Sequence, residues 1–143
     1  MYSDPDLKTQ KHPSEISAAM LNRVEQAIKQ VRWDKQDIAD FLGCYLSEPK
    51  PHIFFDAPQR PLSLAKFRQA IQKHGARLAL KSQMLCHAGW IFMNGEAHRP
   101  DRRDYPGLRT LADRRELPAL ADCSAGLCEQ LYQWYLDGYI YPA

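Results

Sequence analysis

No catalytic signature can be read in this sequence of 143 residues. It contains no His-Glu-x-x-His pair, no glycine-rich phosphate loop and no Gly-x-Ser-x-Gly elbow. Those absences exclude the common metalloprotease, nucleotide-binding and serine-hydrolase sites. The five histidines are His12, His52, His74, His87 and His98, and none stands two residues before a carboxylate. That step is the usual local half of a facial iron site of two histidines and one acid. Cysteine is scarce and scattered at Cys44, Cys86, Cys123 and Cys128, with no Cys-x-x-Cys step, and no further Cys or His lies close to Cys123 and Cys128 to complete a zinc site. All four are expected to be buried, reduced thiols of a cytoplasmic protein. Cys86 and His87 adjoin, but neighbouring residues of a strand point to opposite faces, so they form no nucleophilic pair. No apolar run is long enough to cross a bilayer, and the polar start, Met1 to Asp6, is unlike a signal peptide. The net charge of +2 is too small to imply nucleic acid on its own.

What remains is an ordinary globular composition, 45% hydrophobic and 25% charged, of a size that suits one domain with a helical appendage. Residues 1–13 read as an extended arm containing Pro5 and Pro13. Ser14 is a suitable N-cap for a helix over 15–31, with Ile16, Ala19, Met20, Ala27, Ile28 and Val31 recurring at helical spacing and Val24 between them. Asp34 can cap a second helix whose apolar stripe is Ile38, Phe41, Leu42, Tyr45 and Leu46. Pro49 and Pro51 end it, which places a boundary between an arm and helical segment, 1–48, and a second module, 49–143.

The second module is expected to open on a strand, His52 to Phe55. A helix follows from Ser63, its cap, through His74 to Gly75, its stop. Residues 77–85 alternate roughly and read as a strand, and 90–93 as another after a turn at His87-Ala88-Gly89. Asn94-Gly95 is a strong type I′ hairpin signal, with 96–99 returning. Leu108, Leu111, Ala112 and Leu117 suggest a short helix, and Leu127, Cys128, Leu131, Trp134 and Tyr135 a last one over 124–137, stopped by Gly138. Tyr139 to Tyr141 would add an edge strand. The fold class is α+β: an N-terminal helical segment followed by a winged-helix-like domain, a helix with an antiparallel wing beside it.

Two surfaces could make contacts. Arg99, Arg102, Arg103, Arg109, Arg114 and Arg115 could touch phosphate, but Asp101, Asp104, Asp113 and Glu116 interleave with them and cancel much of the field. A solvated face is the expectation, and nucleic acid is not an expected partner. Trp90, Trp134, Tyr132, Tyr135, Tyr139 and Tyr141 could stack bases, but at these spacings they are expected to be core and packing residues. The first two helices have stripes that must be covered, either by the second module or by another chain.

Tyr2-Ser3-Asp4-Pro5-Asp6-Leu7, the run Asp40-Phe41-Leu42-Gly43-Cys44-Tyr45-Leu46-Ser47-Glu48-Pro49-Lys50-Pro51, and Phe92-Met93-Asn94-Gly95-Glu96 resemble the C-terminal portion of bacterial ribosomal oxygenases. These are cupin/JmjC-type arginine hydroxylases of a ribosomal protein. The resemblance covers essentially the whole chain. It implies an N-terminal cupin that holds Fe(II) through His-x-Asp and a distal His and binds 2-oxoglutarate, then a helical dimerisation segment and a winged-helix domain. This chain is expected to match only the last two, since the iron motif is absent, so no catalytic, cofactor or metal residue is carried over. The resemblance implies a homodimer through Ile16, Met20, Val24, Ile28, Phe41, Leu42 and Tyr45, and a ribosomal protein substrate met through the parent enzyme. The alternative is a stand-alone winged-helix nucleic-acid-binding protein.

Overall fold

The computed structural model describes residues 16–143. Contacts divide the chain into two compact units, Met1–Asp34 and Lys35–Ala143. In the first, α1 (Ala18–Gln30) begins at Ser17, whose extended backbone and Oγ, accepting from the Met20 N–H at 3.2 Å, form the N-cap. The expected cap, Ser14, lies outside the described residues. Lys29 pairs with Glu25 one turn earlier at 2.7 Å. No residue of α1 is buried.

The second unit contains α2 (Lys35–Ser47), α3 (Leu64–His74), β1 (Ala76–Leu78), β2 (Met84–His87), β3 (Trp90–Met93), β4 (Glu96–His98), α4 (Tyr105–Arg114), β5 (Glu116–Leu117), α5 (Ala125–Leu136) and β6 (Ile140–Pro142). Two antiparallel sheets result, ordered β5-β1-β6 and β2-β3-β4. The second sheet is the wing. Its β3–β4 turn is Asn94-Gly95 with φ of 51° and 93°, the left-handed pair that a type I′ turn needs. The Asn94 side chain pins the turn to the chain ahead of β2, its Oδ1 accepting from the Gln83 N–H at 2.8 Å.

The core lies between α3, α4, α5 and the two sheets. Phe67, Ile71, Leu108, Leu111, Leu131, Ile91 and Ile140 are fully buried there, each worth about 1.5–3 kcal/mol. Phe67 stacks on Tyr135 with centroids 4.9 Å apart. The hydroxyls of Tyr132 and Tyr135 hold the backbone ahead of α3, one donating to the Leu62 carbonyl at 2.8 Å and the other accepting from its N–H at 3.1 Å. Ser63 then caps α3 and Gly75 ends it, as the sequence predicts.

The structure departs from the sequence expectations in several places. The second helix groups with the residues after it, so the chain divides after Asp34 and not after Glu48. The cause is local: α2 lies on the wing through its smallest residues. A Cβ at Gly43 would stand 2.5 Å from the Phe92 ring, so only glycine lets the helix approach. Ser47 Oγ accepts from the Gly95 N–H at 3.0 Å and donates to the Gly43 carbonyl at 2.7 Å. No strand forms at His52 to Phe55. That segment has no ladder partner; Lys81 Nζ donates to the Phe54 carbonyl and to Asp56 Oδ2, both at 2.9 Å, while Phe55 meets Tyr139 edge-on. The run 77–85 is two strands separated by a turn, and Leu117 belongs to β5, not to a helix.

The cysteines also differ from expectation. Cys123 and Cys128 form a disulfide, while Cys44 and Cys86 are free and half-buried. Ser124 is the N-cap of α5, so the two half-cystines occupy the position before the cap and the fourth helical position. Those positions face each other across a helix start and commonly hold a pair of apolar residues. The unfolded, unreduced chain should therefore present two thiols to a thiol-reactive dye and four after reduction. A count of four before reduction would contradict the pairing.

Candidate interaction surface

The apolar stripe of α2 points away from the core. Its buried residues are Gly43 and Ser47, whereas Phe41, Leu42 and Tyr45 are 55%, 43% and 62% exposed. Phe41 and Tyr45 stack at 5.6 Å with their planes 12° apart, and both rings remain exposed. On the other flank, Ile38, Leu42 and Leu46 form one wall of an open groove of about 850 Å³. Leu85 of β2, Phe92 of β3 and Ala112 of α4 complete it, with Lys35, His87 and Asp113 as its polar lining.

The residues expected on the first helix are equally uncovered. Ile16, Met20, Val24 and Ile28 are 69%, 45%, 49% and 66% exposed. Met20, Val24 and Ile28 recur every fourth residue and so lie along one side of α1. All seven residues expected to drive association are thus solvent-facing in this chain. Sequence reasoning missed Leu85, 38% exposed in the groove. Its signal was the alternation of β2, which puts Leu85 on the face opposite buried Met84.

The arginines do not form one basic patch. Arg102 and Arg103 precede α4, while Arg114 and Arg115 lie at its far end, about 15 Å away along a helix of ten residues. Arg99 stands over the Trp90 ring at 5.4 Å, Arg103 lies 3.9 Å from Asp104, and Arg109 lies 3.7 Å from Asp113. Arg115 has an internal role. Its Nη2 donates to the carbonyls of Ala79, Leu80 and Ser82 at 2.7, 3.3 and 3.2 Å, closing the turn between β1 and β2. Replacing Arg115 by methionine should destabilise the second unit by about 1–3 kcal/mol in urea unfolding, because a half-buried carbonyl cluster loses its charged donor. No loss of stability would assign those carbonyls to water.

Nothing in the described residues resembles a metal centre: no group of three His, Cys, Asp or Glu side chains converges. His98 is half-buried with its ring edge-on to Trp134 at 5.9 Å, and burial holds its pKa below the ordinary histidine value. Among the described residues no helix is long and apolar enough to cross a membrane.

Residues 30–141 match the ROXA-like winged helix family. The chain belongs to that family. Solved structures of the ribosomal oxygenase YcfD from Escherichia coli share its fold. One, at 19% identity and a TM-score of 0.68, is covered over 99% of this chain and 40% of that chain. Another, in complex with cobalt and 2-oxoglutarate, gives the same values. An X-ray structure of the same protein matches at 18% identity, TM-score 0.68, over 99% of this chain and 39% of that one. This ROXA-like chain therefore spans about two fifths of the length of those structures. No curated protein matches it.

Proposed function

We propose that this chain is the non-catalytic helical dimerisation segment and winged-helix domain of a cupin/JmjC-type, Fe(II)- and 2-oxoglutarate-dependent ribosomal protein arginine hydroxylase. The observation that carries the reading is the orientation of α2. It rests on the wing by Gly43 and Ser47 and turns Phe41, Leu42 and Tyr45 outward, which suits a helix meant to pack on a second copy of the chain. The family membership and the likeness to ribosomal oxygenase structures support the rest. In this reading the chain holds two catalytic domains in register, and the ribosomal protein substrate is met through the parent enzyme in the cytoplasm.

The chemistry belongs to the cupin. There Fe(II) would activate dioxygen with 2-oxoglutarate as the co-reductant, whereas in this chain none of the histidines begins a His-x-Asp step and no group of three metal-ligating side chains converges among the described residues. Titration of Mn(II) with 2-oxoglutarate into the chain should give no saturable heat. Stoichiometric binding would overturn the non-catalytic assignment.

A further inference from the structure

The near-neutral total charge conceals a strong segregation. Residues 57–95 hold six of the nineteen Lys and Arg and none of the seventeen Asp and Glu, so this stretch carries +6 and the rest of the chain −4. The six are Arg60, Lys66, Arg68, Lys73, Arg77 and Lys81, all exposed. Two are neutralised from outside the stretch: Arg77 by Glu116 at 3.2 Å and Lys81 by Asp56 at 2.9 Å. Arg68 donates to the Cys123 carbonyl at 3.5 Å, a contact that leaves its charge uncancelled. Among the described residues Arg60, Lys66 and Lys73 meet no carboxylate. The uncancelled charge is thus concentrated on α3 and the turn just before it.

The helix orders these groups. Phe67 and Ile71 bury one side of α3. Lys66, Gln69 and Lys73, at spacings of three and four, line the opposite side, with the two ammonium groups on one stripe about 10 Å apart along the axis. The geometry points to this outer face of α3 as a contact surface for the phosphate backbone of a nucleic-acid duplex.

Three features favour that partner over an acidic protein. The stripe has no aromatic or large aliphatic residue at its centre, whereas protein interfaces are anchored by buried aromatic and apolar groups. Interfaces with a nucleic-acid backbone are polar and positively charged. A duplex presents one phosphate charge for about every 1.7 Å of its axis, so a 10 Å stripe always faces several. Without an aromatic platform the face has nothing on which to stack unpaired bases. Contact of this kind carries no sequence information. The inference goes beyond the scaffold reading and does not depend on it. It also departs from the expectation that nucleic acid is not a partner, because that expectation weighed the total charge and the arginines of 99–115 instead of the distribution along the chain.

Fluorescence anisotropy on the whole 143-residue chain tests it, with random-sequence RNA and DNA duplexes across a salt series starting at about 50 mM. Binding should be sequence-independent and micromolar, and log K against log salt should fall with a slope of about −3. Lys66→Gln with Lys73→Gln should weaken binding roughly tenfold or more and make the slope shallower by about 2 units. Arg102→Gln with Arg103→Gln should leave both within about twofold. Equal binding of the two duplexes assigns recognition to phosphate alone; tighter RNA binding assigns the source as RNA, and both outcomes support the surface. Three results would overturn it: no binding up to about 100 µM at the lowest salt, an unchanged slope in the lysine double variant, or a poly-glutamate peptide binding as tightly as a duplex. Since Lys66 and Lys73 are exposed, unchanged thermal unfolding of the variant excludes misfolding as the cause.

Discussion

Replacing Gly75 by valine should cost about 3–5 kcal/mol, a large share of the roughly 5–15 kcal/mol that holds a domain together. Gly75 has φ 82° and ψ −161°, a region of backbone space open essentially to glycine alone and worth about 1–3 kcal/mol of strain for other residues. A Cβ there would also collide with the carbonyl oxygen of Leu117 and press on Pro118, and overpacking adds about 1–3 kcal/mol. Relief by movement is closed off. The Gly75 N–H donates to the Ile71 carbonyl at 2.9 Å and its carbonyl accepts from the Ala143 N–H at 3.0 Å, and the next residue enters β1, the central strand of its sheet. Gly89 separates the two causes. Its φ is 88° and nothing lies within 4 Å of a Cβ built on it, so Gly89→Ala should cost only the strain, about 1–2 kcal/mol. Chemical denaturation of both variants checks this. A Gly75→Val variant within about 1 kcal/mol of the parent would mean that the α3–β1 junction is not held as described.

Leu42→Asp should leave the fold intact and weaken self-association by about 100-fold or more. Leu42 is 43% exposed on the outer side of α2, so the isolated chain tolerates a carboxylate there. In an assembly that covers the stripe, the substitution removes about 1.5–3 kcal/mol of apolar burial and leaves a charge to be desolvated. A two-fold arrangement places it twice at one interface, and each 1.4 kcal/mol is tenfold in affinity. Ile28→Asp on α1, where the side chain is 66% exposed, should act in the same direction. The informative outcome is a dissociation constant shifted without a shift in thermal unfolding at low concentration. An unchanged constant in both variants would remove these stripes from any interface.

Much of the fold was legible where local chemistry is unambiguous. Ser63 and Gly75 bracket α3 and Asn94-Gly95 turns the wing, because caps and left-handed turns are decided within a few residues. Phe54 and Phe55 misled. Their apolar character suits a strand, but a strand exists only by virtue of a partner, and between four prolines this one has none. The run 77–85 hid a turn whose closure depends on Arg115, thirty-odd residues away in sequence. The cysteine pair was readable in principle, once Ser124 is accepted as the cap and the flanking positions are considered together.

The candidate surface divides in the same way. Periodicity finds the apolar stripe of α2, and all of its named residues are exposed. It cannot find the opposite, buried side, because Gly43 and Ser47 do not register as apolar. Their fit depends on the shape of the hairpin beneath, on Phe92 and the Gly95 N–H. The arginines were visible as a cluster in sequence, but α4 spreads them over its two ends and Arg115 is engaged with backbone carbonyls of the β1–β2 turn. The positive face of α3 escaped notice because a net charge of +2 averages it against an acidic remainder.

In the proposed assembly the exposed stripes of the first two helices meet a second copy of the chain. Sedimentation equilibrium on the intact chain at micromolar concentration tests it most directly. The expected result is a species of about twice the 16.5 kDa chain mass that dissociates on dilution and in the Leu42→Asp variant. A single species at the chain mass, persisting to about 100 µM and unaltered by the substitution, would contradict it.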